Sequence, residues 1–526
     1  MTDKIIPKHT LKTTFSKLGR LLVCPFKPKP RPPLSRFVVN FFIATFVIIG
    51  LYGMEDSLLV KEYKDKVLDW IMYWHSDFVP ILSNNQEMQR MMLFEIDEQA
   101  FREFGSPVIT PRAKLKALIE QAEKGGANVI AVDLELSWWS DGCIHEPGKV
   151  PACSPAKSTA DEALAQYLQT LNARQDANAP LIILTRVYRY PLEGKQLNVQ
   201  AFRVRAPSFL DSRLTEQKNV FWASTFFEVD DDRVRRRWHL ASLVCQQDHL
   251  TLVPSMQLFV ALAQLYATPD GTREAARMIR TKLKAWNDWA NTLSCDASQG
   301  TTIPKFCQQQ TCPDLTVDLP QKPGISDKIH RVDLAGGRET ERVLYRFAPP
   351  DNPQPFQRSL IDKKSGLDVL SNGAEVDNKI VFIGVTHHAS GDFHPIPIRY
   401  KEVDGVYVLA NAVDTLLRFG QFQPLPWFAK LLISVGVIFV AILLFTWYGI
   451  ARAFAFSTIL VGVVLFVLSG QALHHGIWVD IALPMLTFQI IQAIWYILIY
   501  PIVWFCCDCL NIMSFCSRLE AENTKG

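Results

Sequence analysis

Four long uncharged stretches divide this chain. Each runs for 18 residues or more without Asp, Glu, Lys or Arg, and a helix needs about 20 apolar residues to cross the hydrocarbon core of a bilayer. The pattern therefore predicts one membrane span ahead of a long mixed region and three spans behind it. The uncharged runs are 37–54, 431–451, 453–473 and 481–507, and the predicted spans, which begin a few residues earlier in two cases, are residues 37–54, 427–451, 453–473 and 478–507.

The region between the first two spans alternates short apolar runs with helical periodicity. The run MMLFEI at 91–96 is typical of a buried strand. Residues 110–126 predict a helix, because Pro111 suits a first helical turn and an i, i+3, i+4, i+7 apolar stripe begins at Leu115. ANVIAVDLEL at 127–136 then predicts a second buried strand, which completes a β-α-β unit.

The same alternation continues to the end of this region. DEALAQYLQTL and LIILTRVY predict a helix and a strand, whereas residues 219–247 predict antiparallel pairing around the turn DDDRVRRR. A helix at 254–265, a buried strand NKIVFIGV and a final helix closed by Gly420 follow. These elements predict an α/β extracytoplasmic domain with a mixed sheet over residues 55–426, joined to four transmembrane α-helices in a 1 + 3 arrangement.

Basic residues beside the spans predict the orientation of the chain. Residues 1–36 carry nine Lys and Arg against a single acid, Asp3, and segments of that kind stay in the cytoplasm. Alternation across four spans then leaves residues 55–426 outside the cytoplasm and returns the tail 508–526 to it.

Composition narrows the classes of function. The chain has 20% charged residues, whereas soluble proteins have about 25%. Its formal charge of +3 is too small to indicate nucleic-acid binding. The outer region has no G-x-S-x-G motif, phosphate-binding loop or C-x-x-C motif, and the uncharged stretches offer no ion path. We therefore expect no enzyme, no cofactor and no transporter.

The cysteines fit the predicted topology. Six of the eleven lie in the outer region, where an oxidising compartment permits disulfides. Cys143 and Cys153 share a Pro- and Gly-rich loop, so we predict a disulfide between them; the other pairings stay open. The CCDC cluster at 506–509 resembles half of a metal site, although juxtamembrane thiols without function are the preferred interpretation.

Acidic residues follow or end three of the predicted strands. Asp97 and Asp133 do so in the β-α-β unit, and Asp392 follows the strand NKIVFIGV. Carboxyl ends of parallel strands meet at one edge of a sheet, where ligands bind. These aspartates, with Arg112 at a helix start, are therefore our candidate ligand-binding site. An ion-pair network that fixes the strand ends is an equal alternative.

The loop THHASGDFHP contains His387, His388, Asp392 and His394, a density that would suit zinc. Adjacent histidines do not easily face one ion, however. A polar loop in which Asp392 hydrogen-bonds the backbone explains the pattern as well. We therefore predict no metal site.

The order of these elements resembles the CHASE2 domain, a sensor module of bacterial receptors. FEIDEQAFREFG resembles its opening strand and acidic pair, Pro111–Arg112 its helix-opening Pro-Arg, and DDDRVRRR its acidic turn with Arg236 as the arginine. NKIVFIGVTHHASGDFHPIP and GVYVLANAVDTLL resemble its last strand and helix, with Asp392 at the family's aspartate. One span before the domain and three after it is also the family arrangement.

The resemblance implies a multi-pass protein of a bacterial inner membrane, with both termini cytoplasmic and a ligand-recognising domain outside. The chain departs from the family at Leu409, where a histidine is usual, and in two insertions near 138–160 and 268–340. About 20 residues follow the last span, which is too short for the kinase or cyclase output of such receptors.

Two functions therefore stay open. In the first, the protein senses an extracytoplasmic ligand without catalytic output of its own and relays the signal to a partner. In the second, it is a structural or assembly subunit of a bacterial envelope complex. Both predict the lipid bilayer as a partner, together with another membrane or envelope protein or a second copy of the chain; nucleic acid is not expected.

Overall fold

The computed structural model describes, with gaps, residues 42–78, 91–137, 159–345, 361–397 and 402–479, together with Cys143–Ile144, Ala152–Cys153 and isolated positions elsewhere. Several sequence predictions lie outside these residues. They concern the segments 1–36 and 508–526, the CCDC cluster, most of the insertion near 138–160 and nearly all of the span at 478–507.

The chain forms two compact units. The larger consists of Asp65–Leu425 with Leu468–Val479. The smaller includes the described residues up to Lys64 and Pro426–Val467. The range Asp65–Leu425 lies within the predicted outer domain 55–426, whereas Leu468–Val479 lies outside it.

The helices among the described residues are α1 (Leu58–Phe78), α2 (Glu98–Glu103), α3 (Arg112–Lys124), α4 (Thr159–Ala173), α5 (Met256–Tyr266), α6 (Arg273–Ala290), α7 (Gly366–Asn372), α8 (Gly405–Phe419), α9 (Trp427–Trp447) and α10 (Ile450–His474). The strands there are β1 (Met91–Ile96), β2 (Val129–Asp133), β3 (Cys143–Ile144), β4 (Ala152–Cys153), β5 (Leu181–Thr185), β6 (Tyr188–Arg189), β7 (Leu192–Glu193), β8 (Gln196–Leu197), β9 (Arg203–Arg205), β10 (Val220–Ala223), β11 (Phe227–Glu228), β12 (Arg237–Trp238), β13 (Ala241–Gln246), β14 (His249–Pro254), β15 (Thr316–Leu319), β16 (His330–Asp333), β17 (Asp362–Ser365), β18 (Ile380–Val385), β19 (Phe393–Pro395), β20 (Glu402–Asp404), β21 (Gln423–Pro424) and β22 (Ile477–Trp478).

A six-stranded parallel sheet forms the core of the larger unit, in the order β10-β5-β2-β18-β1-β17. β18 enters between β1 and β2, so the carboxyl ends of these three strands lie side by side. Glu95, Gly384 and Asp133 form one row across them. β18 comes much later in the chain than β1 and β2 but lies between them in the sheet. The predicted meeting of polar residues at this edge depends on that strand order.

Helices cover both faces of this sheet. On one face, α3, α4 and α7 pack against side chains such as Phe94 and Val132. On the other face, α5 and α8 pack against side chains such as Leu93 and Phe382. Because both faces are covered, the strands are apolar throughout, as parallel strands usually are.

A second sheet supplies the mixed pairing. Its order is β14-β13-β9-β6, with β13 antiparallel to β14 and parallel to β9. The predicted α/β class with a mixed sheet is therefore confirmed, although the central sheet itself is parallel.

The predicted antiparallel arrangement over residues 219–247 is wrong for its first strand. β10 joins the central sheet parallel to β5, and β13 pairs with β14 instead. Antiparallel pairing within this stretch is limited, among the described residues, to the short β11 and β12. The run VFWA is buried along its whole length, which a parallel strand under two helix layers requires and a local hairpin does not.

The predicted helices at the ends of the domain are confirmed within a few residues. α3 begins at Arg112 after Pro111, and Gly126 behind it takes the left-handed conformation with φ +86°. α8 ends before Gly420, with φ +65°, where an added Cβ would lie 2.6 Å from His330 Cβ. Both glycines fit turns that other residues rarely adopt.

The second insertion packs onto the domain. α6 buries Ala276, Ile279 and Trp286 against the core that contains α5, and a disulfide joins Cys245 of β13 to Cys295 behind α6. A second disulfide links Cys307 with Cys312. In the first insertion, β3 and β4 pair Cys143 opposite Cys153; the disulfide between them stays a prediction.

The four membrane spans stay a prediction. Within the described portion of the chain, no helix combines the length and the apolar character that crossing a membrane requires.

Candidate functional site

Four carboxyl groups gather where the central sheet meets the start of α8; we call them the acid cluster (Glu95, Asp133, Asp392 and Asp404). Glu95 and Asp133 lie in the same row of the parallel sheet, one strand apart on either side of Gly384. Their side chains therefore point to the same face of the sheet, toward α8. An added Cβ at Gly384 would lie 2.8 Å from Val406 Cβ, so the glycine lets α8 approach the sheet.

Asp392 lies against the first residue of α8. The Gly405 N–H donates to the Asp392 carbonyl oxygen over 2.9 Å, and a Cβ added to Gly405 would come within 2.8 Å of Asp392 Cγ. A carboxylate in this position is favoured by the positive end of the helix dipole. Asp392 is thus joined by backbone, packing and charge to the start of α8.

Asp404 precedes α8 but does not cap it through its side chain. The residue is only 8% exposed, and its Oδ1 atom is buried without a hydrogen-bond partner in the described residues. Leaving a buried carboxyl oxygen without a donor is costly. A residue that could cap a helix is instead directed toward the other acids.

The other members of the acid cluster have specific partners. Glu95 accepts from the Tyr407 hydroxyl over 2.6 Å and lies 3.3 Å from Lys363 Nζ. His394 Nε2 lies 2.9 Å from Asp392 Oδ1. The Thr185 hydroxyl lies 3.0 Å from the Val132 carbonyl oxygen and 3.3 Å from Asp133 Oδ1.

Burial and mutual repulsion raise two of the carboxyl pKa values. Burial, followed by the charge of Asp392, raises the pKa of Asp133 to about 7. Burial also raises the pKa of Asp404 to about 7, with Asp392 and Glu95 adding to the effect. Both groups therefore gain or lose a proton near neutral pH.

Comparison with protein-family models identifies the family to which the chain belongs. The CHASE2 domain model matches residues 43–449, which include the whole acid cluster. The chain belongs to the CHASE2 family. CHASE2 domains are sensory and extracellular. Comparison with curated proteins and with solved structures finds no match.

The candidate ligand residues divide into two groups within this CHASE2 fold. Asp133 and Asp392 lie together in the acid cluster. Asp97 instead caps α2, where its Oδ1 accepts from the Ala100 N–H over 2.8 Å. The structure thus brings Asp133 and Asp392 together and places Asp97 apart from them; ligand binding stays a prediction.

Arg112 belongs to a separate network between α3 and α4. Its guanidinium lies 3.6 Å from Asp161 Oδ1, donates to the Glu135 carbonyl oxygen over 3.3 Å and lies 5.3 Å from the centre of the Phe209 ring. Burial lowers the pKa of Arg112 to about 10. These contacts fix the two helices together.

The three histidines of the loop after β18 contact different residues. His387 stacks on Phe101 with 4.0 Å between ring centroids, His388 stacks on Phe393, and His394 contacts Asp392. Across the portion of the chain that the structure describes, no three His, Cys, Asp or Glu side chains are arranged to hold a metal ion.

A second polar network surrounds the family arginine, Arg236. It binds Asp69 of α1 (2.6 Å), Asp230 (3.1 Å) and Asp232 (2.7 Å). Arg237 and Arg342 both pair with Asp65, one helical turn before Asp69. The acidic turn DDDRVRRR thus holds the helix through which the chain enters the domain.

Sequence reasoning missed several of these residues. Glu95 is an acid within an apolar strand, and Asp404 directly precedes a helix, which is the position of an ordinary cap. Asp65 and Asp69 have the spacing of one helical turn. The partners of Glu95, Asp65 and Asp69 lie far from them in the sequence. Local patterns could therefore mark each acid as unusual, but they could not show which residues it contacts.

Proposed function

We propose that this CHASE2 protein is an extracytoplasmic sensor in a bacterial inner membrane that acts through a partner. A signal is recognised at the acid cluster and changes the start of α8. Because α8 leads through residues 420–426 into α9, its movement reaches the hydrophobic C-terminal part of the chain. The signal then passes to another membrane protein, without catalytic output from this chain.

The contact between Asp392 and Gly405 carries this proposal. Asp392 also contacts His394, and its charge helps to raise the pKa of Asp133, so it is electrostatically linked to another member of the acid cluster. α8 is buried over nearly its whole length, including the polar Asn411 and Thr415. A buried helix cannot adjust at one end without repacking, which favours α8 as the responding element.

The proposed anchor consists of the four spans at 37–54, 427–451, 453–473 and 478–507. Its support comes from the uncharged runs 37–54, 431–451, 453–473 and 481–507 that make up most of these spans, and from the basic segment 1–36. In α9 and α10, large apolar side chains such as Leu432, Phe439 and Ile459 are exposed. Exposed apolar surface of this kind suits contact with lipid or with other helices.

A second candidate function is that of a structural or assembly subunit in an envelope complex. The packing of α6 and the disulfide Cys245–Cys295 favour it, because they fasten the insertion rigidly to the domain. A rigid surface suits permanent assembly, whereas a sensor needs a surface or helix that responds.

Affinity capture of the full chain from membranes of its native host distinguishes the two functions. Wild-type protein is compared with Asp392→Asn and with the control Asp288→Asn, whose carboxylate is exposed beside Lys284 on α6. A sensor predicts a membrane partner whose recovery changes with Asp392→Asn alone. An assembly subunit predicts equal recovery with all three proteins, and isolation without any partner contradicts both functions.

A further inference from the structure

The charges around the acid cluster do not balance. Its four carboxyl groups face two permanent cations, Lys363 beside Glu95 and Arg235 near Asp392. When all four carboxyls are ionised, two negative charges therefore remain. Buried charge of one sign is strongly unfavourable unless it is neutralised.

Both resident cations already have partners. Lys363 lies against Glu95, and Arg235 donates to the Phe227 carbonyl oxygen over 2.8 Å. Asp404 Oδ1 has no donor from the described residues although it is buried and faces Asp392 and Glu95. The acid cluster thus contains a buried carboxyl oxygen that accepts no hydrogen bond from the described residues.

An aromatic ring and an opening accompany this oxygen. Phe393 pairs directly with Asp404 across β19 and β20, so both side chains lie on the same face of the ribbon. Asp392 and His394 are partly exposed, at 36% and 25%, whereas Glu95 is 4% exposed. The acid cluster is therefore closed toward the sheet and open beside Asp392.

We propose that the acid cluster binds a small organic cation with a primary ammonium group, held by Asp404 and Asp392 beside the ring of Phe393. An ammonium group has three N–H donors and one positive charge, which match the unpaired oxygen and the unbalanced carboxylates. Aromatic rings attract such cations through their faces. This inference rests on the proposed function, since it names the class of signal that the sensor recognises.

Binding of the cation opposes protonation of the acid cluster. Burial raises the pKa values of Asp133 and Asp404 to about 7, so a proton neutralises them in mild acid and the ammonium group does so at higher pH. The charged or titratable groups that face them from neighbouring elements are Glu95, Lys363, Arg235, His388, Asp392 and His394. Affinity for the cation therefore rises with pH.

Isothermal titration calorimetry of the full chain in detergent tests the proposal. Propylammonium chloride is titrated at about pH 8 and about pH 5.5, on either side of the raised pKa values. Tetramethylammonium chloride, which has no N–H donor, and MgCl₂ are titrated separately. Asp404→Asn and Asp392→Asn remove one carboxylate each without changing its shape, and Asp288→Asn is the control. Circular dichroism verifies that each variant is folded.

The proposal predicts that propylammonium binds more tightly at the higher pH and that tetramethylammonium does not bind. Asp404→Asn or Asp392→Asn weakens binding by about tenfold or more, as expected for a lost charged hydrogen bond; Asp288→Asn has no effect. Absence of propylammonium binding to the wild type, binding of Mg²⁺ in its place, or unchanged affinity in both cluster variants overturns the proposal. Partner capture with Asp392→Asn needs no added amine, so failure of this titration leaves the proposed function separately testable.

Discussion

The carboxylate of Asp392 fills the space that a side chain at position 405 would need. A Cβ on Gly405 would come within 2.8 Å of both Asp392 Cγ and Asp392 Oδ1. Real Cβ atoms essentially never approach so closely. The start of α8 and the side chain of Asp392 are therefore packed against each other, which is the basis of the proposed relay.

Replacing Gly405 with alanine tests this contact directly. We expect Gly405→Ala to displace Asp392 and to lower the free energy of unfolding by about 1–3 kcal/mol, as overpacking usually does. Calorimetric unfolding measures the change. Gly436→Ala in α9 is the matched control, because nothing lies within 4 Å of its added Cβ. Equal stability of both variants would mean that Asp392 moves away freely.

The raised pKa of Asp404 predicts a pH-dependent stability. The folded protein holds this proton up to about pH 7, whereas an unfolded aspartate releases it near about pH 4. Between these values the folded state binds more protons, so its stability falls as pH rises. A shift of about 3 pKa units corresponds to at most about 4 kcal/mol.

The variant Asp404→Asn removes this dependence because it remains neutral. Its melting temperature should equal that of the wild type below about pH 4, exceed it by a growing margin between about pH 4 and about pH 7, and keep a constant margin above that. The difference between the two proteins is measured by calorimetry across this range. A constant difference at every pH would show that Asp404 ionises in the fold as it does in water.

The arginine network around α1 predicts a large loss of stability. Arg236→Gln removes the guanidinium that pairs with the buried carboxylate of Asp69, while Asp230 keeps Arg237, and breaking a buried ion pair costs about 3–5 kcal/mol. Chemical unfolding measures the loss. Arg331→Gln is the control, since Arg331 and Asp318 are both exposed; an equally small effect of the two substitutions would contradict the role of the network.

The disulfides predict both a peptide map and an order of stability. Non-reducing digestion should recover Cys245–Cys295 and Cys307–Cys312, together with Cys143–Cys153 as the predicted third pair. Cys245→Ala/Cys295→Ala opens a loop of 50 residues and Cys307→Ala/Cys312→Ala one of 5, which predicts losses of about 4 and about 2 kcal/mol. Recovery of free thiols at these positions from native membranes would argue against an oxidising location.

The sequence predicted those parts of the fold whose signals are local. The apolar runs at 91–96 and 380–385 form neighbouring strands. Asp133 and Asp392 lie close together because Asp133 ends β2 and Asp392 follows β18. β10 could not be predicted in this way, because its partner β5 lies about 40 residues earlier and no local pattern specifies parallel pairing.

The remaining parts of the acid cluster depend on tertiary packing. Asp404 has the sequence context of a helix cap, and its different role appears only when Phe393, Asp392 and Glu95 surround it. Arg112 likewise begins a helix near a strand end, but it pairs with Asp161 in a separate network and not with the acid cluster. Sequence thus identified the edge of the sheet and two of its four acids.

Hydrogen–deuterium exchange of the full chain tests the coupling between the acid cluster and α8 most directly. Wild-type protein is compared with Asp392→Asn and Asp288→Asn in lipid nanodiscs. We predict faster exchange in Asp392→Asn along the whole of α8, through Leu416 to the segment 420–426, and no change in Asp288→Asn. An effect of Asp392→Asn confined to residues 392–405 would contradict the relay.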